Sequence, residues 1–306
     1  MRTLSEYRAI LHKKGLYICL QEVGKRVCPF WRTHNLASID HIRQQHTYQY
    51  LKRHYLPVIR NHSYQAASAD AKQIIWICWL QGEKNAPVII RKCIDSVRKY
   101  AATYEVKIIT ETNMLDFVSL PEHIIRKYHD RRITFTHFSD ILRAALLTQH
   151  GGIWMDATTF LTGPLPVEIM QSSFFVFHTS MLATESPVLM SSWFIKSDKN
   201  NPVLLATLSL LYAYWQHHNH LKDYYLFHLC FSLAVSEHTQ LRDLWRQTQY
   251  IPNVDAHTMQ FRLFEPFSDT QWMAVTERSS IHKLTYKFND SSLPARPDTF
   301  YRHIID

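Results

Sequence analysis

The spacing of hydrophobic and polar positions changes several times along the chain, and the changes outline a series of helices and strands. Apolar residues recur at helical intervals from Ile42 to Ile59, and Tyr7, Ile10 and Leu11 form an earlier group of the same kind. Residues 1–70 therefore read as mainly helical. Ser63 to Asp70 is small and polar, the composition of a linker. Gln73 to Leu80 is a nearly continuous apolar run, typical of a strand buried on both faces of a parallel sheet. A turn over Gln81 to Pro87 leads into an amphipathic helix from Val88 to Tyr100, whose buried side carries Val88, Ile89, Cys93 and Val97. Glu105 to Thr110 predicts a second strand. Strand, helix and strand in that order imply a right-handed crossover between parallel neighbours. Leu115 to Tyr128 predicts two short helices around Pro121, and Arg131 to Phe135 an edge strand.

The densest signal lies between Ser139 and Pro166. Ser139 reads as a helix N-cap with Asp140 in the first turn. Ile141, Leu142, Ala145 and Leu146 mark one apolar face, and Gly151-Gly152 ends the helix. Ile153, Trp154 and Met155 are too few for a helix and suit a central strand. Asp156 then falls at that strand's carboxyl end, where open α/β sheets place their ligands. Asp140 and Arg143, three residues apart, share a helix face. Further on, Phe174 to His178 reads as a buried strand, Pro202 to Gln216 as an apolar helix, and Asp223-Tyr224-Tyr225-Leu226-Phe227-His228 as the start of another.

At 306 residues the chain can bury a sizeable core. The pattern divides it into a helical extension, residues 1–70, and an α/β domain, residues 71–306. The net charge of +8 is uneven: residues 1–70 hold eleven Lys/Arg against four Asp/Glu, leaving 23 against 22 in the rest. A basic N-terminal quarter suits contact with anionic lipid or a diphosphate-bearing acceptor. No nucleic-acid recognition motif accompanies it, so nucleic acid is not an expected partner. The five cysteines are scattered, without a C-x-x-C pair, which fits a reducing cytoplasm. No apolar h-region opens the sequence, and the run from Val203 to Trp215 is too short to span a bilayer. A cytoplasmic protein, peripheral on the inner membrane face through residues 1–60, is the expectation. Motifs of P-loop proteins, dinucleotide-binding folds, zinc proteases and esterases are all absent.

Ser139-Asp140-Ile141-Leu142-Arg143, Gly151-Gly152, Trp154 and Asp156-Ala157-Thr158 together resemble the signature of the capsular polysaccharide synthesis proteins. That family is similar to family 32 glycosyltransferases and, more distantly, to toxin glucosyltransferases. The resemblance implies a GT-A-like (Rossmann-like) nucleotide-sugar transferase domain with a mostly parallel central sheet. It implies transfer of a hexose from a UDP- or GDP-sugar to a growing capsular or exopolysaccharide acceptor, polyprenyl-diphosphate-linked, with retention of configuration. Asp156, in a D-x-D-like position, would be the catalytic metal ligand for Mn²⁺ or Mg²⁺, with Thr158 replacing the second aspartate and His282 completing the shell. Asp140 and Arg143 would hold donor-sugar hydroxyls, Trp76 and Trp79 would border the nucleotide, and Lys283 would neutralise phosphate. Asp223 would orient the acceptor or act near the reacting carbon. A non-catalytic sugar-binding or assembly subunit, and a metal-dependent phosphohydrolase, remain as alternatives.

Overall fold

The computed structural model describes residues 36–67, 73–180, 186–288 and 298–306. The expected helical group around Tyr7, Ile10 and Leu11 lies outside them. In chain order the elements are α1 (Leu36–Arg60), β1 (Ile74–Cys78), α2 (Val88–Tyr100), β2 (Glu105–Ile109), α3 (Met114–Phe117), α4 (Glu122–His129), α5 (Phe135–His150), β3 (Gly152–Met155), β4 (Thr159–Leu161) and α6 (Val167–Gln171). There follow β5 (Phe174–His178), β6 (Met190–Ser197), α7 (Pro202–His217), α8 (Leu226–Glu237), α9 (Thr239–Arg246), α10 (Val254–Arg262), α11 (Asp269–Thr276), β7 (Ile281–Lys283) and α12 (Phe300–Ile305).

The central sheet has the order β2-β1-β3-β6-β5. Both neighbours of β1 are parallel to it, while β6 runs antiparallel to β3 and β5. The sheet is thus mostly parallel, and the fold is mixed α/β. Alternation along the strands divides the apolar core into two layers. Ile74, Trp76, Trp154, Phe174 and Val176 face one layer, shared with α1, α5, α7 and α8. Ile75, Ile77, Ile153, Met155, Phe175 and Phe177 face the other, shared with α2, α10 and α12. Both faces of the sheet are covered, which explains why β1 reads as continuously apolar rather than alternating.

Helix α1 is an integral layer of this body. Leu51, Tyr55, Leu56 and Ile59 are buried in the first core layer, and Lys52 pairs with Glu237 of α8 at 2.7 Å. Part of the expected N-terminal extension therefore packs as core.

Two local expectations are corrected where α5 begins. Arg131 to Phe135 is not an edge strand. Arg131 takes a left-handed conformation, φ 56°, and the amides of Arg132 and Ile133 fold back onto the Lys127 carbonyl at 2.9 and 3.1 Å. The helix cap is Thr134, whose hydroxyl accepts from the His137 amide, not Ser139. Ile133 and Phe138 stand on either side of that cap, both buried in one cluster, the arrangement of a hydrophobic staple. Ser139 lies in the second turn and donates to Thr136 O at 2.7 Å, and Asp140 with it.

Candidate active site

A cleft of about 380 Å³ opens at the carboxyl ends of β1 and β3. Three elements deliver its charged floor. Helix α5 presents Asp140 and Arg143 from one face, the turn after β3 presents Asp156 and Thr158, and β7 presents Lys283. The turn is fixed by its backbone: Asp156 N donates to Trp193 O at 2.8 Å, Thr159 N to Asp156 O at 2.8 Å, and Leu284 N to Thr158 O at 2.9 Å. Strand β7 is held antiparallel to β4, with Lys283 opposite Thr159.

Arg143 is the hub of the floor. Its Nη2 donates to Asp156 Oδ1 at 2.9 Å, and its Nη1 lies 2.9 Å from Asp140 Oδ1. Its guanidinium is flanked by the rings of Trp154 and Phe227, at 5.0 and 5.6 Å, and only 4% of its side chain is exposed. A guanidinium so enclosed is a fixed charge, unlike a solvated surface ion pair. Trp154 also donates its indole N–H to Asp156 Oδ1 at 3.0 Å. Lys283 Nζ donates to Asp156 Oδ2 and to Thr158 Oγ1, both at 2.6 Å. Burial alone would raise the Asp156 carboxyl, but the charges of Lys283 and Arg143 hold it below the usual carboxylate range. Asp156 is therefore ionised throughout the neutral range.

Of the residues expected at the site, Asp140, Arg143, Asp156, Thr158, Lys283 and Trp79 border the cleft. Three do not converge on it. Trp76 points into the first core layer, where its indole N–H donates to Gly151 O at 3.0 Å; it shares a face of β1 with Cys78 but lies two residues further from the strand end that opens on the cleft. His282 alternates away from Lys283 on β7. It is fully buried, pairs with Thr162 Oγ1 at 3.0 Å, and is pushed down by burial to about 4. Asp223 is buried in an ion pair with Arg43 of α1 at 2.8 Å, and its other oxygen accepts from the Tyr225 amide at 2.8 Å. It joins α1 to the start of α8 instead of facing a ligand. Asp223→Asn is expected to lower the urea unfolding free energy by about 1–3 kcal/mol. Cleft-dependent activity should stay within about threefold, because the residue does not touch the cleft; a much larger kinetic loss in folded protein would restore Asp223 to the site.

Among the described residues no group of three or more His, Cys, Asp or Glu side chains is placed to hold an ion. Of the expected ligands, His282 faces the wrong way, and Asp156 Oδ2 and Thr158 Oγ1 are already bonded by one ammonium. The donor set does not fit a resident Mg²⁺ or Mn²⁺, which would need the same oxygens.

Several cleft residues were not singled out from the sequence. Tyr224 reaches the cleft from the turn before α8, His228 from the first turn of α8, and Phe135 from the first turn of α5. Their i, i+4 spacing puts Tyr224 and His228 on one side and was the available signal; Asp223 lies off that side. His228 is pushed down to about 4 by burial, so it is neutral near pH 7. Tyr286 meets Trp79 edge to face, with ring centroids 5.3 Å apart, forming an aromatic wall. Cys78 also borders the cleft, but burial pushes its thiol up to about 12, which leaves it protonated and poorly nucleophilic.

No curated protein matches the chain. Among solved structures, the PaToxG glycosyltransferase is similar over 68% of this chain and 84% of its own, at 18% identity and a TM-score of 0.38. A transferase mutant is similar over 56% of this chain and 88% of its own, at 12% identity and a TM-score of 0.31. The capsular polysaccharide synthesis protein family matches residues 28–304. With nearly its whole length matched, the chain belongs to the capsular polysaccharide synthesis protein family.

Proposed function

We propose that the cleft binds a nucleotide sugar and transfers its hexose, with retention, to a growing capsular or exopolysaccharide acceptor. The observation that carries this reading is the Asp140–Arg143–Asp156–Lys283 array at the carboxyl ends of parallel strands. Leaving of a nucleoside diphosphate places negative charge on a phosphate oxygen, and a buried guanidinium beside an ammonium stabilises that charge where water is largely excluded. Carboxylates next to those cations accept hydrogen bonds from sugar hydroxyls and orient the ring. Trp79 and Tyr286 wall the end of the cleft that suits a base. Phe135 and Tyr224, about 54% and 59% exposed, offer ring faces at the mouth for acceptor sugars. Family membership favours a capsular acceptor, lipid-linked in this reading and met at the membrane surface through the basic residues 1–60. No helix among the described residues is long and apolar enough to cross a membrane.

In the transfer, the bond between the anomeric carbon and the β-phosphate oxygen breaks with its electron pair going to that oxygen. The acceptor hydroxyl oxygen bonds to the anomeric carbon, and its proton passes to the released diphosphate. A panel of UDP- and GDP-hexoses, scored by release of free nucleoside diphosphate with and without a glycan acceptor, tests the reading. Release from one donor, stimulated by acceptor, is the expected result. Binding of no nucleotide sugar, or hydrolysis of simple phosphate esters without preference for sugar nucleotides, would overturn it.

A further inference from the structure

The cleft floor is charge-balanced before a ligand arrives. Asp140 and Asp156 face Arg143 and Lys283, so no surplus carboxylate is left to attract a divalent ion. Lys283 Nζ stands 2.6 Å from Asp156 Oδ2 and from Thr158 Oγ1, the oxygen edge that Mg²⁺ would coordinate at about 2.0–2.1 Å. Ammonium and ion are alternatives for one place. The lysine is held in that place by the β4–β7 pairing and by the Leu284 amide on Thr158 O, and 19% of its side chain is exposed. An ammonium has three N–H donors. Two are used, and the third is available to a ligand in the cleft. Arg143 lines the same floor beside Lys283, its guanidinium fixed between Asp140 and Asp156.

We propose that Lys283, supported by Arg143, is the protein's own cation for the nucleoside diphosphate, so that donor binding and cleavage require no divalent metal. This rests on the nucleotide-sugar reading above. Lys283 keeps its proton throughout the transfer. It exchanges part of its interaction with Asp156 for the phosphate oxygen on which charge develops as the sugar–oxygen bond breaks. Asp156 then serves to position the ammonium and to balance its charge on the cleft floor.

The test is calorimetric titration of UDP and GDP into the full chain, in EDTA and separately in Mn²⁺. One nucleotide is expected to bind in EDTA with a Kd within about threefold of its value in Mn²⁺. Lys283→Gln, which keeps most of the side chain and removes the charge, is expected to raise Kd in EDTA by about tenfold or more. It also frees Asp156 and Thr158, so Mn²⁺ should recover part of the lost affinity in the variant and little in the wild type. Binding by the wild type only with Mn²⁺ would overturn the proposal, as would unchanged metal-free affinity in Lys283→Gln with an unaltered melting midpoint. If the variant does not fold, the wild-type comparison between EDTA and Mn²⁺ decides the matter alone. Failure of both nucleotides in both buffers would instead overturn the nucleotide-sugar reading and this inference with it, a pattern distinct from metal dependence.

Discussion

Arg143→Ala is expected to lower donor turnover by roughly 10²–10³-fold, the usual cost of removing one preorganised charge stabiliser from an enclosed site. The residue is not a surface partner of Asp140. It connects Asp140 and Asp156 while enclosed by Trp154 and Phe227. Its loss leaves Asp140 without its guanidinium and Asp156 with Lys283 as its one cationic partner beside the Trp154 indole N–H. Breaking a buried pair from one side costs about 3–5 kcal/mol of stability, so kinetics must be read on protein shown to be folded. Arg143→Lys separates charge from shape. A lysine keeps the charge but lacks the planar fork that meets both carboxylates, so it should recover stability more than turnover. The measurement is kcat/KM for nucleoside-diphosphate release, beside a denaturant midpoint. Donor kinetics unchanged in folded Arg143→Ala would reduce the residue to a structural strut.

Gly152→Ala is expected to destabilise the fold by about 2–6 kcal/mol, combining the ranges for a strained backbone and for overpacking. Gly152 has φ of 100°, and a Cβ built there would lie 2.5 Å from the Ile74 carbonyl oxygen. That oxygen belongs to the backbone of β1 and cannot rotate aside; the indole nitrogen of Trp76 is 3.3 Å from the same point. The substitution would push β3 away from β1 at the point where the parallel pair begins, and Asp156 rides on β3. Against a typical unfolding free energy of 5–15 kcal/mol, such a loss is large. Urea unfolding of the variant checks it, and a change under about 1 kcal/mol would show that the strand shifts without strain. Gly151, whose φ is 71°, ends α5, so the pair combines a helix stop with a close approach.

Much of the fold could be read from residue patterns because short-range physics sets those patterns. The helix Val88–Tyr100, the strands at Ile74–Cys78 and Glu105–Ile109, and the Gly-Gly stop before Ile153 all occur as expected. The start of α5 was harder to read because two hydroxyl residues compete for the cap. Thr134 wins through the staple between Ile133 and Phe138, whose burial depends on packing outside the segment. The site was legible where its residues are close in sequence: Asp140, Arg143, Asp156 and Thr158 fall within one helix–strand unit. Lys283 could be named, but its bonds to Asp156 and Thr158 span 127 and 125 positions. Neighbouring residues on a strand point to opposite faces, so His282 and Lys283 could not both enter the cleft.

By itself the sequence determined the α/β class, the parallel start of the sheet, the family, and the carboxylate at the end of β3. Each follows from local periodicity, backbone stops or adjacent motif residues. Only the tertiary structure decided how far along β1 the cleft reaches and which face of β7 meets it. It placed Trp76 and His282 in the core, tied Asp223 to Arg43, and left Tyr224 and His228 to line the cleft. It also decided that an ammonium fills the edge between Asp156 and Thr158. The physical reason is that side-chain direction and charge pairing depend on which distant elements pack together, and those contacts form only when both core layers close around the sheet.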